Sequence, residues 1–141
     1  MAERLLPEPT PDTQTFWDKA QDHELWLPRC EACSRVIFYP RSFCPYCGWE
    51  EVRWFRTSGR GVVESFIINS VPGPGYEDQV PYAIAYVRLD EGVRLVSNLR
   101  EVEQTPEAIT VGMRVEVDFE ERGQMSIPQF RPVADDEEDA P

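Results

Sequence analysis

The chain has 141 residues and a formal net charge of −12, and it contains no apolar stretch approaching the roughly 18 residues of a membrane-spanning helix. Its first residues lack the basic and apolar regions of a secretory signal, so we expect a cytoplasmic protein with no membrane span. Thirteen prolines and eight glycines in a chain that is 41% hydrophobic indicate a turn-rich, mostly β fold.

The N-terminal segment predicts a leader followed by a short helix. Residues 1–9 hold two prolines and two acids without periodicity, and we expect them to be flexible. Thr10 and Pro11 are typical of an N-cap and a first helical position, which predicts a helix within residues 10–24.

The apolar side of this helix consists of Phe16, Trp17 and Ala20. Because a helix of about three turns is marginal alone in water, it must dock on another surface. That surface is either the rest of this chain or a partner, and the residue pattern leaves both open.

Two Cys-x-x-Cys pairs, ten residues apart, dominate the segment 25–57; they are Cys30 with Cys33 and Cys44 with Cys47. Two such knuckles can bring four thiolates to one tetrahedral Zn²⁺ ion. The stretch 35–41 between them is predicted to be a short strand. The pattern therefore predicts a rubredoxin-like zinc ribbon with a structural metal, since a closed four-thiolate shell leaves no open position for chemistry.

Other uses of the four cysteines are possible. Two disulfides are disfavoured in a reducing compartment. A redox Cys-x-x-Cys would be a single pair near a βαβ pattern, which is absent here. Iron takes the same four ligands, so the spacing leaves zinc and iron open.

From residue 58 to residue 133 the pattern is that of strands and turns. Five strands are predicted, at 61–69, 82–89, 93–99, 113–119 and 127–131, with Pro128 placing the last one at an edge. A short helix is predicted from Thr105, ending at Gly112. Five strands with a helix between the third and fourth are the layout of an OB-fold barrel.

Two further segments stand out. The loop 70–81 is long for a hairpin connection, and loops of that length are usually functional or mobile. Residues 134–141 contain five acids, which predicts a disordered acidic tail.

No catalytic constellation is visible. His23 is the single histidine, and we expect it to be exposed or to cap the helix. Zinc ribbons and OB folds often bind nucleic acid, and the ribbon carries arginines interleaved with aromatic residues, so an RNA or single-stranded DNA binder is the alternative function. The net charge of −12 opposes that alternative, because phosphate neutralisation dominates such affinity.

The chain resembles the zinc-ribbon plus OB-fold proteins encoded beside thiolase-like enzymes. The similarity covers about 115 residues, and its order of motifs is more specific than any one of them. These motifs are Phe16-Trp17, Cys30-Glu31-Ala32-Cys33, Pro40-Arg41, Cys44-Pro45-Tyr46-Cys47-Gly48, the hinge Ser58-Gly59-Arg60-Gly61 and the hairpin Leu89-Asp90-Glu91-Gly92.

The resemblance implies a non-catalytic subunit of a thiolase-fold enzyme that makes or cleaves carbon–carbon bonds in acyl-CoA substrates, such as an acyl-CoA thiolase or a steroid side-chain aldolase. It implies that the small protein stabilises this partner, helps form the entrance for CoA or the acyl group, and can dock a hydratase. We expect a CoA thioester to be shared with the partner. The candidate residues for contact with the partner or CoA are Phe16, Trp17, Arg41, Trp54 and Tyr76.

Overall fold

The computed structural model describes residues 6–72 and 77–133. Within them lie α1 (Gln14–Gln21), β1 (Trp26–Cys30), β2 (Val52–Arg56), β3 (Arg60–Asn69), β4 (Tyr82–Leu89), β5 (Arg94–Asn98), β6 (Arg114–Arg122) and β7 (Met125–Pro132). Strands β1 and β2 form one sheet, and the other five form a second sheet in the order β5-β4-β3-β6-β7. The prediction of a mostly β fold with a short N-terminal helix and five barrel strands is confirmed.

Parts of the predicted leader and of the predicted loop, and the whole predicted tail, lie outside the described residues. They are residues 1–5, residues 73–76 and residues 134–141. Among the helices that the structure describes, none has the length and apolarity to cross a bilayer.

The five-stranded sheet curls into a nearly closed barrel. Alternate residues of β4 point into its core, as the period-2 pattern predicts; these are Ala83, Ala85, Val87 and Leu89. A parallel bridge between Leu99 and Phe130 brings the end of β5 to β7, where the Arg100 N–H donates to the Phe130 carbonyl at 2.7 Å. Pro128 lies on β7, which is an outer strand of the sheet, as predicted.

The predicted helix after Thr105 is wrong: this segment forms a turn. The Ala108 N–H does bond to the Thr105 carbonyl at 3.2 Å, so the turn begins as the capping signal predicts. The Gly112 N–H, however, donates to the Val63 carbonyl at 2.7 Å, and the Val63 N–H donates to the Met113 carbonyl at 3.1 Å. These backbone groups are hydrogen-bonded to β3, so they are not available for the hydrogen bonds of a continuing helix.

Helix α1 lies within the predicted segment but begins one turn later than the Thr10-Pro11 signal. The Thr13 N–H donates to the Thr10 carbonyl at 3.0 Å, and the Thr10 N–H donates to Thr13 Oγ1 at 2.8 Å. These bonds close a turn ahead of the helix. Thr13 is therefore the N-cap of α1, but its side chain is bonded to Thr10 and does not cap the helix.

The predicted strand at 35–41 is also wrong: only an isolated bridge joins Val36 to Arg29. The ribbon's sheet is instead made by β1 and β2, which flank the cysteines. Sequence reasoning missed these two strands because each is five residues long and β1 contains Pro28.

Helix α1 joins the two sheets. Its buried side chains Phe16, Trp17 and Ala20 belong to one hydrophobic core that includes Leu27 of β1 and Phe130 of β7. A separate small cluster of Cys30, Ile37 and Cys44 lies inside the ribbon. The ribbon therefore has a small hydrophobic cluster of its own and also contributes residues to the main core.

Candidate metal centre and surrounding surface

The four cysteine sulfurs meet at one point. All lie within 4.8 Å of one another, with Cys30 Sγ 3.5 Å from Cys47 Sγ and Cys33 Sγ 3.6 Å from Cys44 Sγ. These distances are too long for disulfide bonds, in which the sulfurs are about 2.05 Å apart. They are close to the separation of about 3.8 Å that follows from a tetrahedron with metal–sulfur bonds of about 2.3 Å. The donor set and its spacing therefore fit a tetrahedral metal ion.

Each pair of cysteines is held by a tight turn. The Ser34 N–H donates to the Cys30 carbonyl at 3.0 Å, and the Gly48 N–H donates to the Cys44 carbonyl at 2.9 Å. Ser34 and Gly48 have left-handed backbones, with φ of 67° and 80°. In the first turn the Ala32 and Cys33 N–H groups point at Cys30 Sγ, at 3.3 and 3.4 Å.

The sulfurs influence one another's ionisation. Burial raises the pKa of Cys30, but N–H groups of Cys33 and Ala32 and the Cys47 sulfur outweigh burial and lower it to about 6. The Trp49 N–H lowers the pKa of Cys47, whereas burial and the neighbouring sulfurs raise it and prevail, giving about 12. Four thiolates at this spacing thus need a cation among them, which is what a bound metal ion supplies.

Phe16 and Trp17, predicted as contact residues, lie in the interior of the chain. Phe16 is 4% exposed and Trp17 is 8% exposed. Their rings lie edge to face at 4.8 Å, and Trp17 Nε1 donates to the Tyr39 hydroxyl at 3.2 Å. Packing within the chain accounts for both residues.

Of the other predicted contact residues, Arg41 and Trp54 come together, and Tyr76 lies outside the described residues. Arg41 and Trp54 line one surface pocket of about 390 Å³. The remaining lining includes four carboxylates, from Asp12, Glu31, Glu50 and Glu51. Such a lining repels phosphate, so the pocket itself does not favour the CoA phosphates.

His23 forms a contact that the sequence did not reveal. Its Nε2 lies 2.6 Å from Glu121 Oε1, its ring stacks on Phe119 at 4.9 Å, and Ser126 donates to the same carboxylate. The residue is exposed, as predicted. Its contacts fasten the turn after α1 to β6.

The arginines of ribbon and barrel differ in their partners. Within residues 6–72 and 77–133, three arginines have no carboxylate partner, and all three lie in the ribbon: Arg29, Arg35 and Arg41. Arg29 lies over the Phe55 ring at 4.6 Å and Arg35 over the Tyr46 ring at 4.9 Å. Each described arginine of the barrel has at least one carboxylate partner, which gives no support to nucleic-acid binding by the barrel.

A four-cysteine rubredoxin-like ribbon followed by a five-stranded barrel defines a class of small zinc-ribbon plus OB-fold proteins. Residues 17–53 match the family described as "ChsH2, rubredoxin-like zinc ribbon domain", and residues 54–120 match "ChsH2, C-terminal OB-fold domain". The chain belongs to this ChsH2 family, whose relatives are also named DUF35 proteins.

A solved structure supports this membership. The chain superimposes on the "Ltp2-ChsH2(DUF35) aldolase" with a TM-score of 0.79 and 32% identity, over 92% of this chain and all of that chain. A "DUF35 domain-containing scaffold protein" of Pyrococcus furiosus is 36% identical over 74% of this chain and 80% of its own length.

Two relatives have enzyme-subunit names, and the match spans less than half of each of them. A "Probable enoyl-CoA hydratase alpha subunit" of Thermomonospora curvata is 37% identical over 95% of this chain, but the match spans 42% of the relative. The "Benzoylsuccinyl-CoA thiolase subunit BbsA" of Thauera aromatica is 34% identical over 50% of this chain and 48% of its own length.

Proposed function

We propose that this chain is a non-catalytic accessory subunit of a thiolase-fold enzyme that makes or cleaves carbon–carbon bonds in acyl-CoA substrates. The observation that carries the proposal is the match over 92% of the chain to a ChsH2 protein of an aldolase assembly. The subunit names of the relatives, which include a thiolase subunit and a hydratase subunit of CoA thioesters, agree with it. A hydratase is therefore a further candidate partner.

The chemistry of the side chains supports an accessory role. All four cysteines cluster at the candidate metal centre, and the single histidine is bonded to Glu121 on the surface. In the part of the chain that the structure describes, neither residue type forms a nucleophile–base pair. The reacting groups then come from the partner, while this chain stabilises it and helps form the entrance for CoA or the acyl group.

The metal of the ribbon is proposed to be zinc with a structural role. Cys30, Cys33, Cys44 and Cys47 would hold it, and it would neutralise their charge and fix the ribbon. Metal analysis of the purified chain should give one zinc per chain and a colourless protein. A red protein with one iron per chain would overturn this assignment. Cysteines that form no disulfide bonds also fit the reducing cytoplasm, which we propose as the location of this chain.

The partner can be tested in two stages. The tagged chain is used as bait in a lysate of the source organism, with the tag alone as control, and bound proteins are identified by mass spectrometry. We expect a stoichiometric thiolase-fold protein. The purified partner is then assayed with its acyl-CoA substrate, with and without the chain.

We expect the chain to increase the solubility or the turnover of this enzyme. Recovery of nucleic acid or ribosomal proteins in place of a thiolase-fold protein would contradict the proposal. So would a purified thiolase-fold partner whose solubility and turnover do not change when the chain is added.

A further inference from the structure

A cavity of about 450 Å³ lies on the barrel where β5 ends, and no residue of its lining belongs to the ribbon. This volume is within the usual range for small-molecule sites. Leu99 is the single aliphatic residue of the lining and Tyr82 the single aromatic one, whereas three glutamines, an asparagine, an arginine and a glutamate make up the rest. Such a wall offers little apolar surface, so it does not match an acyl chain or a steroid ring system.

Gln129 of β7 presents a buried acceptor to this cavity. Its neighbour Phe130 belongs to the hydrophobic core, so the side chain of Gln129 points to the opposite face of the strand. Gln129 is only 7% exposed, and its Nε2 donates to Glu120 Oε1 at 2.9 Å. Within the described residues its carbonyl oxygen accepts no hydrogen bond. An acceptor left without a partner in a buried side chain is unfavourable, and a donor group of a ligand would satisfy it.

Further unused groups lie in the same wall. Arg100 Nη1 is buried and makes no hydrogen bond with the described residues, although it lies 3.2 Å from Asp118 Oδ2. Asn98 donates from Nδ2 to the Ala83 carbonyl at 2.9 Å, and its Oδ1 has no partner in the described part of the chain. The cavity therefore offers both a donor and acceptors.

One side of the wall is rigid. Gln104 Nε2 donates to the Leu99 and Val102 carbonyls, at 3.2 and 2.8 Å, and Gln104 Oε1 accepts from the Ala83 N–H at 2.7 Å. These bonds join the segment after β5 to β4. The unused groups of Asn98 and Arg100 are thus held on a braced backbone.

The charged groups of the wall are already paired. Arg100 pairs with Asp118 at 3.2 Å, and Glu120 pairs with Arg122 at 2.6 Å. Each charge is offset locally, so the cavity does not favour an anion or a cation. The ligand that this wall fits is polar but uncharged.

We propose that this cavity binds an uncharged polyhydroxylated molecule, namely a monosaccharide in its ring form. A hydroxyl group both donates and accepts, so the hydroxyls of one sugar ring donate to the carbonyl oxygens of Gln129 and Asn98 and accept from Arg100. Gln79 lies at the exposed side of the cavity, and its amide has no partner within the described residues, so it adds a further donor and acceptor. The site belongs to the barrel of the free chain and does not depend on the accessory role proposed above.

Nuclear magnetic resonance titration of the full chain, labelled with ¹⁵N, tests the site. The probes are D-glucose, D-galactose and D-mannose, which differ in the configuration of single hydroxyl groups. At least one of them should bind at millimolar concentration and shift the side-chain amide signals of Gln129 and Asn98. Glycerol has hydroxyl groups but no ring, and it should bind about tenfold more weakly or less, because it satisfies fewer groups of the wall at once.

Two variants connect binding to the cavity. Gln129→Leu removes the buried acceptor and should weaken binding by about tenfold. Gln79→Ala should weaken it several-fold and leave stability unchanged, because the Gln79 side chain makes no hydrogen bond within the described residues. It therefore tests the site even if Gln129→Leu unfolds. Gln14→Ala is the matched control, since Gln14 is an exposed glutamine of α1 outside the cavity and its variant should bind like the wild type.

Each of four results would overturn the proposal. They are no binding of any of the three sugars at high millimolar concentration, equal affinity for glycerol and the sugar, sugar-induced shifts confined to the ribbon, and unchanged binding by Gln79→Ala together with any folded Gln129→Leu. Stronger binding of a charged probe, inorganic phosphate, than of the sugars would also overturn it, because the paired charges of the wall would then not be neutralised.

Discussion

Gly61 lies where two strands approach too closely for any side chain. It pairs with Leu89 of β4 and Val115 of β6, and a Cβ atom on it would lie 2.3 Å from the Arg88 carbonyl oxygen. Gly61→Ala should therefore lower the free energy of unfolding by about 3 kcal/mol, because backbone must move to admit the methyl group.

Gly112→Ala is the control for this prediction. Gly112 has φ of 93° but open space around it, so it should lose only about 1 kcal/mol through strain. Urea unfolding of the two variants measures the difference. Equal stability of Gly61→Ala and the wild type would show that the strands separate without cost.

The contact between His23 and Glu121 predicts a pH dependence. The hydrogen bond from His23, followed by that from Ser126, lowers the pKa of Glu121 below its ordinary 4.5. A carboxylate with a depressed folded-state pKa stabilises the fold above its unfolded value, and this contribution disappears as the pH falls through the folded value. Glu121→Gln should thus be less stable than the wild type at pH 6 but approach it below pH 4.

Urea midpoints of both proteins between pH 6 and pH 3 measure this effect. Loss of metal in acid affects both chains, so the difference between them isolates the carboxylate. A difference that stays constant over the whole range would contradict the prediction.

The sequence predicts the structural role of some single residues but not of others. The cysteines were identified by spacing alone, since a Cys-x-x-Cys turn is a local structure. The contact of His23 with Glu121 joins residues 98 positions apart, and no local signal announces such a pair. Phe16 and Trp17 were placed on the correct side of the helix, but only the fold shows what covers them.

At the scale of elements, α1 depends on its buried face. Phe16 contacts Trp17, Phe38 and Tyr39, with ring centroids at 4.8, 6.3 and 5.9 Å. Phe16→Ala should cost about 3 kcal/mol or more, as is usual for a large aromatic residue removed from a core. Asp18→Ala, on the exposed side of the same helix, should change stability by less than about 0.5 kcal/mol.

Thermal and urea unfolding of both variants measure these effects. If Phe16→Ala kept full stability but lost the partner enzyme, Phe16 would be a contact residue and its place in the core would be secondary. If Phe16 serves packing within the chain, Phe16→Ala must lower the stability of the free chain.

Elements also show where local signals fail. The capping residues around Thr105 predict a helix, yet the segment is a turn because Gly112 and Met113 pair with Val63. The signal at Thr10 is likewise used by a turn ahead of α1. At Thr105 the local residues begin a helical turn, and longer-range hydrogen bonds to Val63 stop it. At Thr10 the bonds to Thr13 are local, and the helix begins after the turn that they close.

At the scale of the molecule, the ribbon and the barrel share one hydrophobic core, but the ribbon has fewer strand pairings of its own to stabilise it. The barrel has five paired strands, whereas the ribbon has two short strands and the small cluster of Cys30, Ile37 and Cys44. Removal of the metal should therefore increase hydrogen exchange first in β1 and β2, while the β3–β4 pairing stays protected longer.

Exchange measured by mass spectrometry, with and without a thiol-competing chelator, tests this order. Cys44→Ser should show the same pattern without a chelator, because it removes one of the four proposed metal ligands. Simultaneous loss of protection in ribbon and barrel would mean that the shared core makes them a single cooperative unit.

The amino-acid sequence alone was enough to predict the mostly β class, the order of ribbon and barrel, the clustering of the four cysteines and the five barrel strands. Each of these follows from local patterns: ligand spacing, alternation of apolar residues, and turn residues between strands. The fold was needed to show which strands build the ribbon, where the helices begin or fail to form, and which distant side chains meet, such as His23 and Glu121. These depend on hydrogen bonds and packing between segments far apart in the chain, whose pairing no local pattern of residues specifies.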